Sequence, residues 1–184
     1  ANARSRARYF KVGEVGEIEG FIREASGSLS DANVFQYSYT PEDEDAVITA
    51  TITTSHSGAR ALAEYASTAM GAIDGYDAGE VYDADINGAT WSCFGYTSAY
   101  AVEEPAEEEA EPAEADEAEP ADAEAEAQEP NRFEKGLNAY ADAAHDSCVL
   151  VHVRAETPSA EEYPDDDAMM AALEQAVAAV TLGE

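Results

Sequence analysis

Basic residues are scarce in this chain: nine Lys and Arg stand against 40 Asp and Glu, giving a formal net charge of −31 over 184 residues. Phosphate recognition needs a basic footprint, so nucleic acid is excluded as a partner. Only Lys11 and Lys135 are lysines. With Asp, Glu and Ala abundant, that balance fits a high-GC organism as well as the cytoplasm of a halophile. No apolar run approaches the ~20 residues of a membrane-spanning helix, and no segment has the order of a signal peptide. No phosphate loop, dinucleotide fingerprint or nucleophile elbow is present, and no His/Cys spacing resembles a zinc site.

What the chain does have is one extreme stretch, 103–130, reading EEPAEEEAEPAEADEAEPADAEAEAQEP. It contains no aromatic residue and no base. Such a segment cannot bury enough apolar surface to offset the entropy of ordering it, and is predicted to stay solvated and mobile. Pro105, Pro112, Pro120 and Pro130 interrupt any helix in it. As an entropic spacer it needs no partner; as a cation collector or an arm for a basic partner it would use its carboxylates. Fourteen of the 40 acids fall here, so the remainder still carries −17.

Without that stretch and the first 11 residues, 145 remain, enough for one core. The organisation expected is a basic flexible tail, 1–11, followed by a single α+β domain, 12–184, carrying a disordered acidic insertion. The tail starts ANARSRARYF without an initiator Met, as in a processed or trimmed chain. It gathers Arg4, Arg6, Arg8 and Lys11, four of the nine bases. Two readings stand: a membrane-proximal segment near anionic headgroups, or a disordered terminus with incidental charge.

Residues 15–23 read as an extended segment, since Gly16 and Gly20 oppose the helical spacing of Val15, Ile18 and Ile22. A turn cluster follows at 27–33. Residues 34–40, VFQYSYT, and 46–54, AVITATITT, read as a hairpin of strands around PEDED. A helix is predicted over 57–73, capped by Ser55 or Ser57, with Leu62, Ala66, Met70 and Ile73 on one face. Residues 80–86 and 89–102 form a second hairpin about Asn87-Gly88. A helix is predicted over 131–144 from the capping pattern Asn131-x-x-Glu134 and the spacing of Phe133, Leu137, Tyr140, Ala141 and Ala144. Then come a buried strand, 147–155, and a helix, 165–180, with Asp165, Asp166 and Asp167 at its positive end. The sum is a mainly antiparallel sheet covered by helices.

The order resembles the PsbP-like α/β/α sandwich superfamily, which includes the Ran-binding Mog proteins and many small bacterial lipoproteins. The resemblance is carried by 46–54 feeding the helix at 57–73, by Ile86-Asn87-Gly88 opening a long aromatic strand, and by 148–153 leading to the closing helix. Gly20-Phe21 looks like the usual start. Two departures stand out: the family places a strand where 131–144 reads as a helix, and the acidic insertion is unusual. The resemblance implies a non-enzymatic domain, exported or lipid-anchored, that acts by binding. It carries no functional residue across.

Asp83, Asp85, Asn87 and Gly88 match the first half of a calcium loop, but position 12 would be Phe94 where a bidentate Glu is required. A hairpin turn explains the same Asn-Gly, and calcium is the minority reading. Cys93 and Cys148 each open an apolar strand; they are either two buried thiols or, if those strands are neighbours, one bridge. A bridge would be worth on the order of 3–4 kcal/mol. His152 lies in an apolar run and His56 at a helix start, and His145-Asp146 beside Cys148 lacks the geometry of a nucleophile pair. The paired acids of PEDED and PDDD read as solvated. The expectation is a non-enzymatic, extracellular or cell-surface domain that binds a protein or envelope partner. The alternative is a calcium-binding or cation-buffering acidic protein.

Overall fold

A computed structural model describes residues 16–26, 36–102, 129–143, 147–180 and 182. The basic tail, the turn cluster at 27–33 and most of the acidic stretch, 103–128, lie outside the described residues. The strands are β1 Phe21–Ser26, β2 Gln36–Pro41, β3 Ile48–His56, β4 Tyr76–Ala78, β5 Tyr82–Ile86, β6 Ala89–Tyr100, β7 Arg132–Ala143 and β8 Ser147–Thr157. The helices are α1, Ala59–Gly71, and α2, Asp166–Ala178, with a short 3-10 turn at Ala160–Glu162. The fold is α+β.

Among the described residues every strand joins one sheet in the order β1-β2-β3-β8-β7-β6-β4, with β5 also paired to β6. All pairings are antiparallel. β4 and β5 lie end to end on the outer edge of β6, opposite residues 96–98 and 89–93. Side chains alternate across a strand, so each buried strand feeds two cores. Val149, Val151 and Val153 of β8 join Tyr39, Ile52, Trp91, Cys93, Met169, Leu173 and Val177 on the α2 side. Cys148 and Leu150 of the same strand join Ala59, Ala63, Phe94, Tyr96 and Tyr140 on the α1 side. Burying each large apolar side chain contributes roughly 1.5–3 kcal/mol. The helices thus cover opposite faces: α1 packs on β4, β6 and β7, and α2 on β3, β7 and β8.

The helix expected over 131–144 is instead the twelve-residue strand β7. It sits between β6 and β8, with both faces covered, so the alternation that marks a half-exposed strand is absent. Leu137 and Ala141 face α2, while Tyr140 faces α1; their helical spacing is incidental. Asn131 caps no helix: its amide closes the base of the β6–β7 hairpin, accepting from Val102 N and donating to Val102 O, both at 2.8 Å.

Neither Ser55 nor Ser57 caps α1. Gly58 holds the N-cap position at φ 112°, and among the described residues no side chain adjacent in sequence caps the helix. The carboxylate of Asp142, on β7, instead accepts from the backbone N–H groups of Gly58 and Ala59 at 2.7 and 3.0 Å. An anion at the positive end of the helix replaces the local cap. α2 follows the ordinary pattern, with Asp165 accepting from Ala168 N at 2.7 Å. The first extended segment begins later than expected, at Phe21, and β4 was not foreseen. Asn87 and Gly88 turn at φ 51° and 80°, the mirror-image turn that fits strand twist.

Candidate functional site

α2 covers β3, β7 and β8 but leaves part of β6 and the β4–β5 edge open on its own side. The gap is a groove of about 450 Å³. Strand register lays out its floor in successive rows. Asp77 of β4 lies opposite Thr97 of β6, which lies opposite Lys135 of β7. The next row is Gly79, Gly95 and Leu137: Gly79 N donates to Gly95 O at 2.8 Å, and Gly95 is opposite Leu137. The last row begins with Tyr82, opposite Cys93. Met169 and Met170 of α2 supply the side wall, and Asp166 stands at its polar end. At its two glycines the floor of the middle row is bare backbone, and a side chain on Gly95 would project into the space.

The polar end has its own ion pair. Lys135 Nζ lies 2.7 Å from Asp166 Oδ1 and donates to Pro164 O at 2.9 Å. Hydrogen bonding to Lys135, then its charge, holds the Asp166 carboxyl below its ordinary range. Burial, with Cys93 and Asp166 nearby, pushes the Tyr82 hydroxyl up. Asp77 has no side-chain partner among the described residues. The groove therefore has a charged end, an apolar flank and, on the strand row farthest from Lys135, a tyrosine whose hydroxyl reaches near Asp166. Volume and lining suit a small ligand.

The opposite face carries a buried polar chain. Tyr96 OH and His152 Nε2 are 2.8 Å apart. The Glu134 carboxylate, with its side chain only 7% exposed, accepts from Arg154 Nη1 at 3.1 Å and faces the same tyrosine hydroxyl. Burial first, and Arg154 second, lower the His152 pKa to about 4. Burial also raises the Tyr96 hydroxyl far above its ordinary value. At neutral pH the imidazole is uncharged and its Nε2 is engaged. The chain is a structural network rather than a poised acid–base pair.

The residues singled out from sequence fall elsewhere. Cys93 and Cys148 are both free and buried. The bridged alternative is corrected by topology: β7 lies between their strands, so they are at least two strand spacings apart, roughly 9.5 Å, and they point to opposite faces. Burial pushes their thiols up to about 11 and about 12, so neither is an activated nucleophile. Asp83 and Asp85 lie along the extended strand β5, not around a loop. Asp83 accepts from Arg60 Nη1 at 3.0 Å and Ser92 Oγ at 3.1 Å, and Asp85 from Thr90 Oγ1 at 2.9 Å. Asn87 occupies the turn, and Phe94, the would-be twelfth position, is fully buried in the α1-side core. Among the described residues no three His, Cys, Asp or Glu side chains converge as metal ligands. His56 ends β3 with its side chain outside the described residues, as is all of His145.

Sequence reading missed the groove residues Asp77, Gly79, Gly95, Lys135 and Met170. One signal was present: isolated glycines inside strand patterns mark a close approach or an opening, and Gly95 interrupts the aromatic run SCFGYT. Comparison with family models, with curated proteins and with solved structures found no match to this chain.

Proposed function

We propose that the chain is a non-enzymatic binding domain of the PsbP-like sandwich type, exported or attached to the cell envelope, and that it holds its ligand in the groove beside α2. The groove carries this reading: it is a concave, largely apolar site with a few polar groups at one end. Three further features support it. The antiparallel sheet lies between helices, as in the family that the chain resembles. The strand at β7 falls where that family places one. Both thiols are buried and protonated, and the one described histidine side chain is neutral, which argues for binding rather than turnover. Arg4, Arg6, Arg8 and Lys11 would favour an anionic membrane surface, in keeping with an envelope location.

The test is a thermal-shift screen of small amphiphiles on the wild-type chain and on Gly95→Leu, paired with mass-spectrometric inspection of each compound for turnover. A Cβ on Gly95 meets its neighbours only at ordinary contact distances, 3.7 and 3.9 Å, so the variant fills the groove without a backbone clash. Compounds that stabilise the wild type and not Gly95→Leu support the reading. A chemically converted compound, or stabilisation indifferent to the leucine, overturns it. Fractionation of the native source cells, with an antibody against this chain, tests location: recovery in the cytosolic fraction alone defeats an envelope or exported role.

A further inference from the structure

Resting on the groove as the binding site, we infer that its ligand is a small amphiphilic cation: an apolar alkyl or arylalkyl body carrying a protonated amine. The row order fixes the orientation. The polar row, Asp77, Thr97 and Lys135, lies four residues along β6 from the level of Tyr82, roughly 13 Å at strand rise. Between them the floor is glycine backbone and Leu137, flanked by Met169 and Met170. Methionine side chains are flexible and polarisable, and suit a slender apolar body. The body therefore lies over Gly95 towards Tyr82, and the head sits at the Asp77 end.

Charge selects the head. The polar end holds Asp77, Asp166 and Lys135, and Lys135 is already neutralised by Asp166 at 2.7 Å. Asp77 is exposed and keeps its carboxylate unpartnered among the described residues, with the Thr97 hydroxyl on the cross-strand neighbour. An ammonium ion gains a charge-assisted hydrogen bond there, whereas a carboxylate meets Asp77 as a like charge. The whole-chain charge of −31 adds a field of the same preference. The source is a free small molecule rather than a partner's lysine: a concave groove of about 450 Å³ has the volume of a small-ligand pocket.

The chain contains three methionines. Met169 and Met170 line the groove, whereas Met70 packs on the opposite face of the sheet. Protein labelled with 13C in the methionine methyl groups is titrated with n-hexylammonium, n-hexanoate and 1-hexanol in about 0.15 M NaCl, which screens diffuse attraction to the acidic stretch. Hexylammonium is expected to shift Met169 and Met170, to leave Met70 in place, and to bind about tenfold more tightly than hexanoate. Asp77→Asn should erase most of that preference, and Gly95→Leu should abolish the response. Equal binding of the three probes, or a preference that survives Asp77→Asn, overturns the cationic head while leaving the groove as a binding site. No response from any probe overturns both readings.

Discussion

The ring of Tyr96 lies where a side chain on Gly136 would have to be. The two residues are direct partners on β6 and β7, and a Cβ built on Gly136 would collide with the Cε1–Cζ–Oη edge of the tyrosine ring. The ring has nowhere to move: it is buried, stacked on Tyr76 at 6.1 Å between centroids, and bonded through its hydroxyl to His152. Gly136→Ala should therefore destabilise by about 2–3 kcal/mol, the cost of overpacking a core, despite the reduced entropy of the unfolded chain. Gly95→Ala, whose new methyl group meets only van der Waals contacts, should be neutral or slightly stabilising. Urea unfolding of the two variants makes the comparison; equal midpoints would remove the ring-over-glycine account.

The same network sets a pH dependence. Burial and Arg154 hold His152 at about 4, below its ordinary 6.5. The unfolded chain thus binds more protons than the native one between those values. The contribution is complete above about pH 6.5 and is lost as pH falls towards 4, in total about 3 kcal/mol. Acidification also neutralises carboxylates in a chain with 40 of them, so the wild-type curve mixes opposing effects. The difference between wild type and His152→Gln isolates the histidine. That difference should shrink steadily from pH 7 to pH 4 in urea titrations, and a difference independent of pH would show that the imidazole is not excluded from charging.

How much of this was legible beforehand depended on whether the signal was local. The β-branched run that became β3, the Asn-Gly turn and the acid-capped α2 each announce themselves within a few residues, and each lies close to its expected place. β7 did not, because covering both faces of a central strand erases the period of two. Its one honest clue was Gly136, whose meaning depends on a tyrosine forty residues earlier in the chain. The α1 cap was invisible for the same reason: Asp142 is 84 residues from Gly58. The groove is assembled from four strands and a helix, and only its floor glycine left a trace in the sequence. Mistaking β7 for a helix also put Cys93 and Cys148 on strands that could be neighbours.

With that strand in place, the two cysteines have a definite chemistry. Both are buried, and their thiols are held well above neutrality, at about 11 and about 12. In the native protein a thiol-reactive probe should label neither at an appreciable rate near pH 7; in denaturant it should label both. The midpoint of unfolding should be the same with and without reductant, since no cross-link constrains the unfolded chain. Intact mass after alkylation counts the thiols directly, and a species two protons lighter with no alkylated cysteine would contradict the sheet order.

The acidic stretch can be removed in one piece, and the hairpin that brackets it says what should follow. β6 and β7 pair from Ser92↔Tyr140 through Tyr100↔Arg132. Beyond the last pair, Asn131 N donates to Tyr100 O at 3.1 Å, and the Asn131 amide grips both backbone groups of Val102. The two strand ends are therefore already held side by side where the stretch leaves and returns. Replacing 103–128 by a short glycine-rich turn should preserve cooperative unfolding. It should also raise stability modestly: the loop to be closed is shorter, and each halving of loop length is worth about 0.6 kcal/mol. Fourteen carboxylates lie in 103–130, all but Glu129 within the excised stretch, so the self-repulsion of a chain at −31 falls as well. That second gain should fade in high salt while the first persists. Thermal melts at low and high ionic strength separate them. Two independent transitions, or loss of folding altogether, would mean that the stretch is needed to join β6 to β7 after all.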